Sequence, residues 1–397
     1  MVIKAIWLVA GGPMQHIVAK KIKELGYHLI VSDGIERAYC KELADTFIHS
    51  DTFDIDRHLK FAKSIEEKFK ICAVLTSAAD CHSTVSVLAK YFNVHHLDLK
   101  ISEVCRNKLL TRNALRNAGL LQPQSYQVSN LDEANAILLS SQCAFVMKAS
   151  DSSGSRGFVS LDQGCLVTNE QFNYSKSSGT KEFVILEERL EPSDSEVSEA
   201  SVETVWFNGK MYWLNWVDRI FPRDLRLFPE IKITQNLGPA IEIGHLNPAK
   251  HEISVKEKVA ADIFRAGVAI GMANQTGGHI LKADIFFSSK GPVILELTPR
   301  TSGGWDSSGS SMVRGANIPE GVIYLALGGA VDLDCWHKYF TYKDSERNVA
   351  VMSLIPDNAI DCTGRKFTMS SSYTQDGNNI EEALLKIKKG EFFVPVY

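Results

Sequence analysis

Residues 3–9 (IKAIWLV) form a continuous apolar run, the pattern of a strand buried on both faces. Gly11-Gly12-Pro13 then turn the chain, and Ile17, Val18, Ile22 and Leu25 recur on one helical face that ends at Gly26. A second apolar stretch, 28–32 (HLIVS), closes at Asp33-Gly34, and a third, 71–76 (ICAVLT), is followed by a helical pattern over 80–91. Strands alternating with helices predict a doubly wound parallel sheet. The first hundred residues therefore read as a small Rossmann-like domain.

The pattern then changes character. A helix is predicted over 102–118, containing Lys108 and closed by Gly119, and Gln122-Pro123 break the chain before a short strand near 124–128. The block 144–190 holds a strand (AFVMKAS), a Ser/Gly loop (DSSGSRG) and a further strand (FVILEERL). A hairpin follows, 202–207 and 211–217 joined at Asn208-Gly209, the residue pair that suits a two-residue turn. A helix is expected at about 254–271, then strands at 279–287 and 292–298 joined by Ser289-Lys290-Gly291, and another helix over 318–328. The tail, 330–397, mixes short strands with one helix near 380–388. The fold class expected is α/β, becoming α+β in the central part.

Composition narrows the function. At 397 residues the chain exceeds one compact core and should divide into two to four lobes. A formal charge of −4 gives no reason to expect nucleic acid or an anionic membrane as partner. No apolar run approaches the roughly 20 residues of a membrane span, and the apolar N-terminus runs into a strand–turn pattern rather than a cleavage site. The eight cysteines are scattered without a C-x-x-C pair, which argues against a zinc ribbon or a disulfide framework and suits a reducing cytoplasm.

Three stretches carry candidate chemistry. Gly11-Gly12-Pro13 after the first strand, with Asp33 after the second, sits where a dinucleotide fold binds phosphate and ribose. The G-x-G-x-x-G spacing is incomplete, so a plain strand-end turn is the favoured alternative. In 148–157, Lys148 precedes a donor-rich loop containing Ser153, Gly154, Ser155 and Gly157. Its ammonium and backbone amides suit phosphate oxygens, although such a loop is more often a solvated linker. Lastly, Asp284 (ADIFF) and Glu296 (VILEL) fall on adjacent apolar strands around a tight turn. Antiparallel pairing brings the two carboxylates together, and a hard divalent ion is the economical way to relieve their repulsion. Arg300, in Pro299-Arg300-Thr301-Ser302-Gly303-Gly304, adds a guanidinium suited to a carboxylate or acyl-phosphate oxygen. The competing reading is two half-exposed strand acids and a structural arginine.

Lys108, Lys148 with its loop, Glu187-Glu188-Arg189-Leu190, Glu199-Ala-Ser-Val-Glu203 and Asp284…Glu296-Leu-Thr-Pro-Arg300 together resemble the ATP-grasp superfamily. The resemblance is to its carbamoyl-phosphate-synthetase-like and biotin-carboxylase-like branch of carboxylate–amine ligases, and it covers residues 1 to about 330. It implies a Rossmann-like domain over 1–105, a two-lobed ATP-grasp domain over 106–330 with a nucleotide-clamping lobe at about 146–190, and a small C-terminal lobe over 331–397. It further implies that Lys108 and Lys148 hold ATP phosphates under the Ser152–Gly157 loop. Glu187, Glu188 and Leu190 would contact adenine largely through backbone, and Glu199 would reach the ribose. Asp284 and Glu296, with Thr298 where relatives carry asparagine, would ligate Mg²⁺, and Arg300 would steady the acyl phosphate.

The implied activity is ATP-dependent joining of a small-molecule carboxylate to an amine, in an enzyme type where homodimers are common. A biotin-carboxylase-like component and a nucleotide-binding protein without turnover are the alternatives. On the substrate side, Trp206, Trp213, Trp216 and Trp305 are expected near the site with Arg219, Arg223 and Arg226 in a following loop, against the even alternative of sheet filling and solvated charges. Asp80 and His82 are weaker substrate-side candidates. His245 and His95-His96 read as structural.

Overall fold

The computed structural model describes residues 2–152, 156–194, 197–227, 242–303, 306–354 and 370–376. The predicted parallel sheet is present. Strands β1 (Ile3–Val9), β2 (His28–Asp33), β3 (Thr46–His49) and β4 (Phe69–Leu75) lie in the order β3-β2-β1-β4, every pair parallel. The unbroken apolar run of β1 has a plain cause, since both its faces are covered. Ile6 and Leu8 pack with Val18 and Ile22 of helix α1 (His16–Glu24). Trp7 and Val9 pack the other way, with Ala62 of α2 (Ile55–Ile65) and Leu88 of α3 (His82–Tyr91). The four-residue β3 is too short to leave a periodic signal.

The single helix expected over 102–118 is two: α4 (Leu99–Arg106) and α5 (Lys108–Asn117). Asn107 separates them in an extended conformation, and its side chain accepts hydrogen bonds from the Leu109 and Leu110 amides. It is an N-cap, so Lys108 opens a helix rather than lying within one.

A second sheet is antiparallel, with β5 (Ser125–Val128), β6 (Phe145–Ala149), β7 (Val159–Leu161) and β8 (Val184–Glu188) in the order β5-β8-β6-β7. Helices α6 (Leu131–Ser140) and α7 (Asn169–Ser177) supply Ala134, Leu138 and Phe172 to its core, which includes Val128, Met147 and Leu186.

The third sheet has seven strands, all neighbours antiparallel, in the order β13-β12-β9-β10-β11-β14-β15. These are β9 (Glu199–Phe207), β10 (Lys210–Ile220), β11 (Gly244–Asn247), β12 (Gly278–Ser288), β13 (Gly291–Thr298), β14 (Asn348–Leu354) and β15 (Ser370–Asp376). Asn208 and Gly209 turn the β9–β10 hairpin with φ of 48° and 79°, the left-handed pair that such a turn demands. In the tail, β14 and β15 extend this sheet; the helix expected near 380–388 lies outside the described residues.

Helix α8 (Ile253–Ile270) packs on one face of the large sheet through Val259, Ile263 and Ala266. That face takes the tryptophans. Trp206 is buried and stacks on Phe264 at 5.7 Å, and a Cβ on Gly267 would collide with its indole ring. Trp213 and Trp216 meet edge-to-face at 5.3 Å. Trp206, Trp213 and Trp216 thus fill the sheet face instead of approaching the candidate site, and Trp305 lies outside the described residues. Helix Ile318–Ala326 packs Ile323 and Leu325 in one cluster with β1, β2 and Ile280 of β12, and so joins the parallel sheet to the large one. Among the described residues, no helix is long and apolar enough to cross a membrane.

Candidate functional site

The hairpin of β12 and β13 puts Asp284 directly opposite Glu296, and Lys282 opposite Thr298. Because strand side chains alternate, these four share one face of the sheet. The pairing expected from sequence is therefore present, but its surroundings differ. Asp284 is 6% exposed, and the neighbour on its own face is Lys282, whose Nζ lies 2.6 Å from Oδ1 and 2.7 Å from Oδ2. Arg219 Nη1 approaches Oδ2 at 3.4 Å. Burial pushes the Asp284 carboxyl pKa up, and Lys282 and Arg219 outweigh it, holding the group below the usual aspartate value. The protein thus supplies cations of its own, which the argument from two uncompensated carboxylates did not include. The Glu296 carboxylate makes no hydrogen bond or ion pair among the described residues.

On the facing side, Lys148 of β6 pairs with Glu187 of β8 across directly bonded strands. Glu187 is 2% exposed, and Arg112 of α5, with no exposure at all, holds it through Nε at 2.8 Å. Burial opposes the Glu187 charge, yet Arg112 and Lys148 lower its pKa to about 2. Burial lowers the Lys148 pKa, and Glu187 offsets only part of the fall. Arg112 also donates to the Leu295 carbonyl at 2.7 Å, which ties the lysine's counter-ion to the strand that carries Glu296. The Lys108 ammonium donates to the Ser152 carbonyl, and its backbone amide bonds to Ser150 at 2.9 Å.

Of the loop residues, Ser153, Gly154 and Ser155 lie outside the described residues. Gly157 has φ +74°, where an added Cβ would stand 2.7 Å from Ser178 Cβ, and its carbonyl accepts from Ser175 Oγ at 2.6 Å. Glu188 is paired with Lys290 at 3.4 Å, and its amide bonds to the Gln124 carbonyl. Leu190 is half-buried just beyond β8.

Glu199, at the start of β9, is held by Arg219 of β10 at 3.3 Å and by Arg223. Its pKa is raised, burial outweighing the two guanidiniums. Arg219 also pairs with Glu242 at 2.8 Å. Arg219 and Arg223 were expected in a loop; Arg219 is a strand residue, and both line the site. Arg226 lies apart, exposed, on the Ser193 and Asp194 carbonyls. Arg300 pairs with Asp80 at 2.6 Å, so the guanidinium after β13 is anchored to the loop after β4. His82, beside Asp80, is buried and bonds to the Ser102 carbonyl at 3.0 Å; burial lowers its pKa to about 4. His245 is likewise buried, bonded to Ser310 Oγ at 3.0 Å. At the Gly11 turn, Asp33 accepts from the Gly11 and Ile35 amides at 2.7 Å each, as a strand-end turn requires.

Part of this set converges on one cleft, which Glu187, Glu188, Leu190 and Arg300 do not line. A cavity of ≈ 210 Å³ is lined by Lys108, Lys148, Glu199, Arg219, Asp284 and Glu296. A second, of ≈ 110 Å³, shares Ser152, Arg156 and Glu296 with it and reaches Asp80, His82 and Thr298. Oxygen donors from Asp284 and Glu296 fit a hard divalent cation, for a reason visible in the bonding. Glu296 has no hydrogen-bond or ion-pair partner among the described residues, whereas Lys282 already sits on both oxygens of Asp284. Arg112 and Lys282 were not among the site residues inferred from sequence, and Arg219 and Arg223 were inferred only as substrate-side charges. Regular alternation on β12 puts Lys282 on the face of Asp284 and was the one signal available for it.

No family model matches the sequence, and no curated protein matches it. Solved structures do, and the class they define is the ATP-grasp fold, which this chain adopts. Three of them are particular enzymes. An L-amino acid ligase from Bacillus licheniformis has TM-score 0.72 and 14% identity, with each chain covered in full (100% and 100%). A biotin carboxylase from Campylobacter jejuni, in a β,γ-ATP complex, has TM-score 0.66 and 13% identity over 98% of this chain and 92% of that one. An N5-carboxyaminoimidazole synthetase from Staphylococcus aureus complexed with ADP has TM-score 0.64 and 14% identity over 89% and 83%. At these identities the likeness is one of fold.

Proposed function

We propose that this chain is an ATP- and Mg²⁺-dependent ligase that activates a small-molecule carboxylate as an acyl phosphate and passes it to an amine, forming a C–N bond. The observation that carries the reading is the meeting of Lys108, Lys148, Asp284 and Glu296 around one cleft, in a fold shared with nucleotide-bound synthetases and carboxylases. The division inferred from sequence goes with it: a parallel-sheet domain, a central two-lobed unit with its clamp at about 146–190, and a C-terminal part.

In this reading Lys148 and Lys108 face the triphosphate. Glu187, clamped by Arg112, fixes where the Lys148 ammonium stands and therefore acts through its carboxylate, whereas sequence assigned it a backbone role at adenine. Glu188 and Leu190 remain the adenine edge, and Glu199 the ribose contact, with Arg219 and Arg223 orienting its carboxylate. Mg²⁺ held by Asp284 and Glu296, with Thr298 beside them, would neutralise phosphate charge and polarise the γ-phosphoryl group. Arg300, oriented by Asp80, lies close enough to Glu296 for its charge to be felt, and it would meet the carboxylate oxygen. The chain need supply no covalent nucleophile, because positioning and charge neutralisation do the chemistry.

Phosphate release from Mg·ATP, measured against a panel of carboxylic acids with and without amines, tests the proposal. Release that needs both a carboxylate and an amine supports it. Dependence on bicarbonate and biotin would move the assignment to a carboxylase component, and ATP binding without release under any pairing would leave a nucleotide-binding protein.

A further inference from the structure

Asp284 is already engaged by a cation. Lys282 is two residues before it on β12, so it shares the same sheet face, and it is as buried as its partner, 6% exposed. Its ammonium straddles both carboxylate oxygens at 2.6 and 2.7 Å. Arg219 adds a second cation to Oδ2, while itself being shared with Glu199 and Glu242. The Glu296 carboxylate opposite takes no share of this network among the described residues.

From this asymmetry we propose that Lys282 is a built-in counter-cation that occupies Asp284 in the nucleotide-free protein and opposes divalent-ion capture there, so that the ion enters together with the triphosphate. The inference rests on the proposed metal role of Asp284 and Glu296. Its physical basis is direct. An ammonium and a divalent ion seeking the same carboxylate repel each other strongly in a buried site. A triphosphate brings oxygens that can receive the ammonium, and so relieves that repulsion. Lys282 is thus a positioning residue for the ion.

The probe is Mn²⁺, with binding followed in the full chain without nucleotide by the electron paramagnetic resonance of the free ion, and then with ATP by the change in the bound-ion spectrum against a protein-free Mn·ATP control. In Lys282→Met, nucleotide-free Mn²⁺ binding should tighten by at least about tenfold, and Asp284→Asn in the same background should erase the gain. Lys282→Gln, which keeps an N–H donor and loses the charge, should show the same gain and covers the case in which the methionine variant fails to fold. Unchanged Mn²⁺ affinity in folded Lys282 variants, with Mn²⁺ still binding the wild type beside ATP, overturns the role of Lys282 and leaves the metal site standing. If neither wild type nor variants bind Mn²⁺ even with ATP, the metal reading falls and the inference falls with it.

Discussion

Glu187 concentrates the residue-scale argument. Its carboxylate is buried between Arg112 and Lys148, and removing one partner of such a group leaves charges in low dielectric with no counter-ion. Glu187→Gln should cost about 3–5 kcal/mol of stability, read by urea unfolding at pH 7. The pH dependence has a definite sign. The folded-state pKa, about 2, lies below the ordinary glutamate value of 4.5, so the stabilisation is complete above pH 4.5 and is lost as pH falls toward 2. The stability gap between wild type and Glu187→Gln should stay constant from pH 6 to 8 on the pH scale set by those values and narrow below about 4. A gap that widens on acidification contradicts the assignment. The Asp284–Glu296 pairing was legible in the sequence because a short turn and strict alternation fix the register of a hairpin. The Arg112–Glu187 pair was not, since its members are 75 positions apart and no local pattern links them.

At the scale of elements, the break between α4 and α5 matters most. A helix running through residue 107 would commit the Lys108 amide to a carbonyl of the preceding turn; the Asn107 cap instead starts α5 at Lys108 and lets its amide and ammonium reach the Ser150 and Ser152 carbonyls. Asn107→Ala should lower stability by about 1 kcal/mol and weaken ATP binding as Lys108 loses its seat. Calorimetric titration with a non-hydrolysable ATP analogue beside a thermal melt checks both, and unchanged affinity in a destabilised variant would separate the cap from the site. The apolar periodicity over 102–118 crosses the break without interruption, which is why hydrophobic pattern alone reads one helix. Strands β9, β10, β12 and β13 were visible because their hairpins carry turn residues. The four-residue β3 and β11 were not, because pairing partners supplied by the tertiary fold define them.

Across the whole molecule, the site exists because separate layers meet. Arg300 follows β13 of the large sheet and is anchored by Asp80 from the loop after β4 of the parallel sheet, so one layer orients the side chain proposed to act in another. Asp80→Asn should cost about 2 kcal/mol of stability, the value of a charge-assisted hydrogen bond, and lower kcat more than it raises KM for ATP. Steady-state kinetics with a melting curve test this, and a KM effect alone would argue for a merely structural anchor. Sequence placed Asp80 only at a strand end where such folds bind ligands. Its partner is 220 positions away, a distance that only the assembled fold closes. The central claim, that a carboxylate oxygen attacks the γ-phosphate of ATP in the cleft between Lys148 and Glu296, is tested most directly by oxygen tracing. With a carboxylate substrate labelled with ¹⁸O in both oxygens, one ¹⁸O per turnover should appear in the inorganic phosphate released. Phosphate that carries no label, its new oxygen coming from solvent water, would contradict the account.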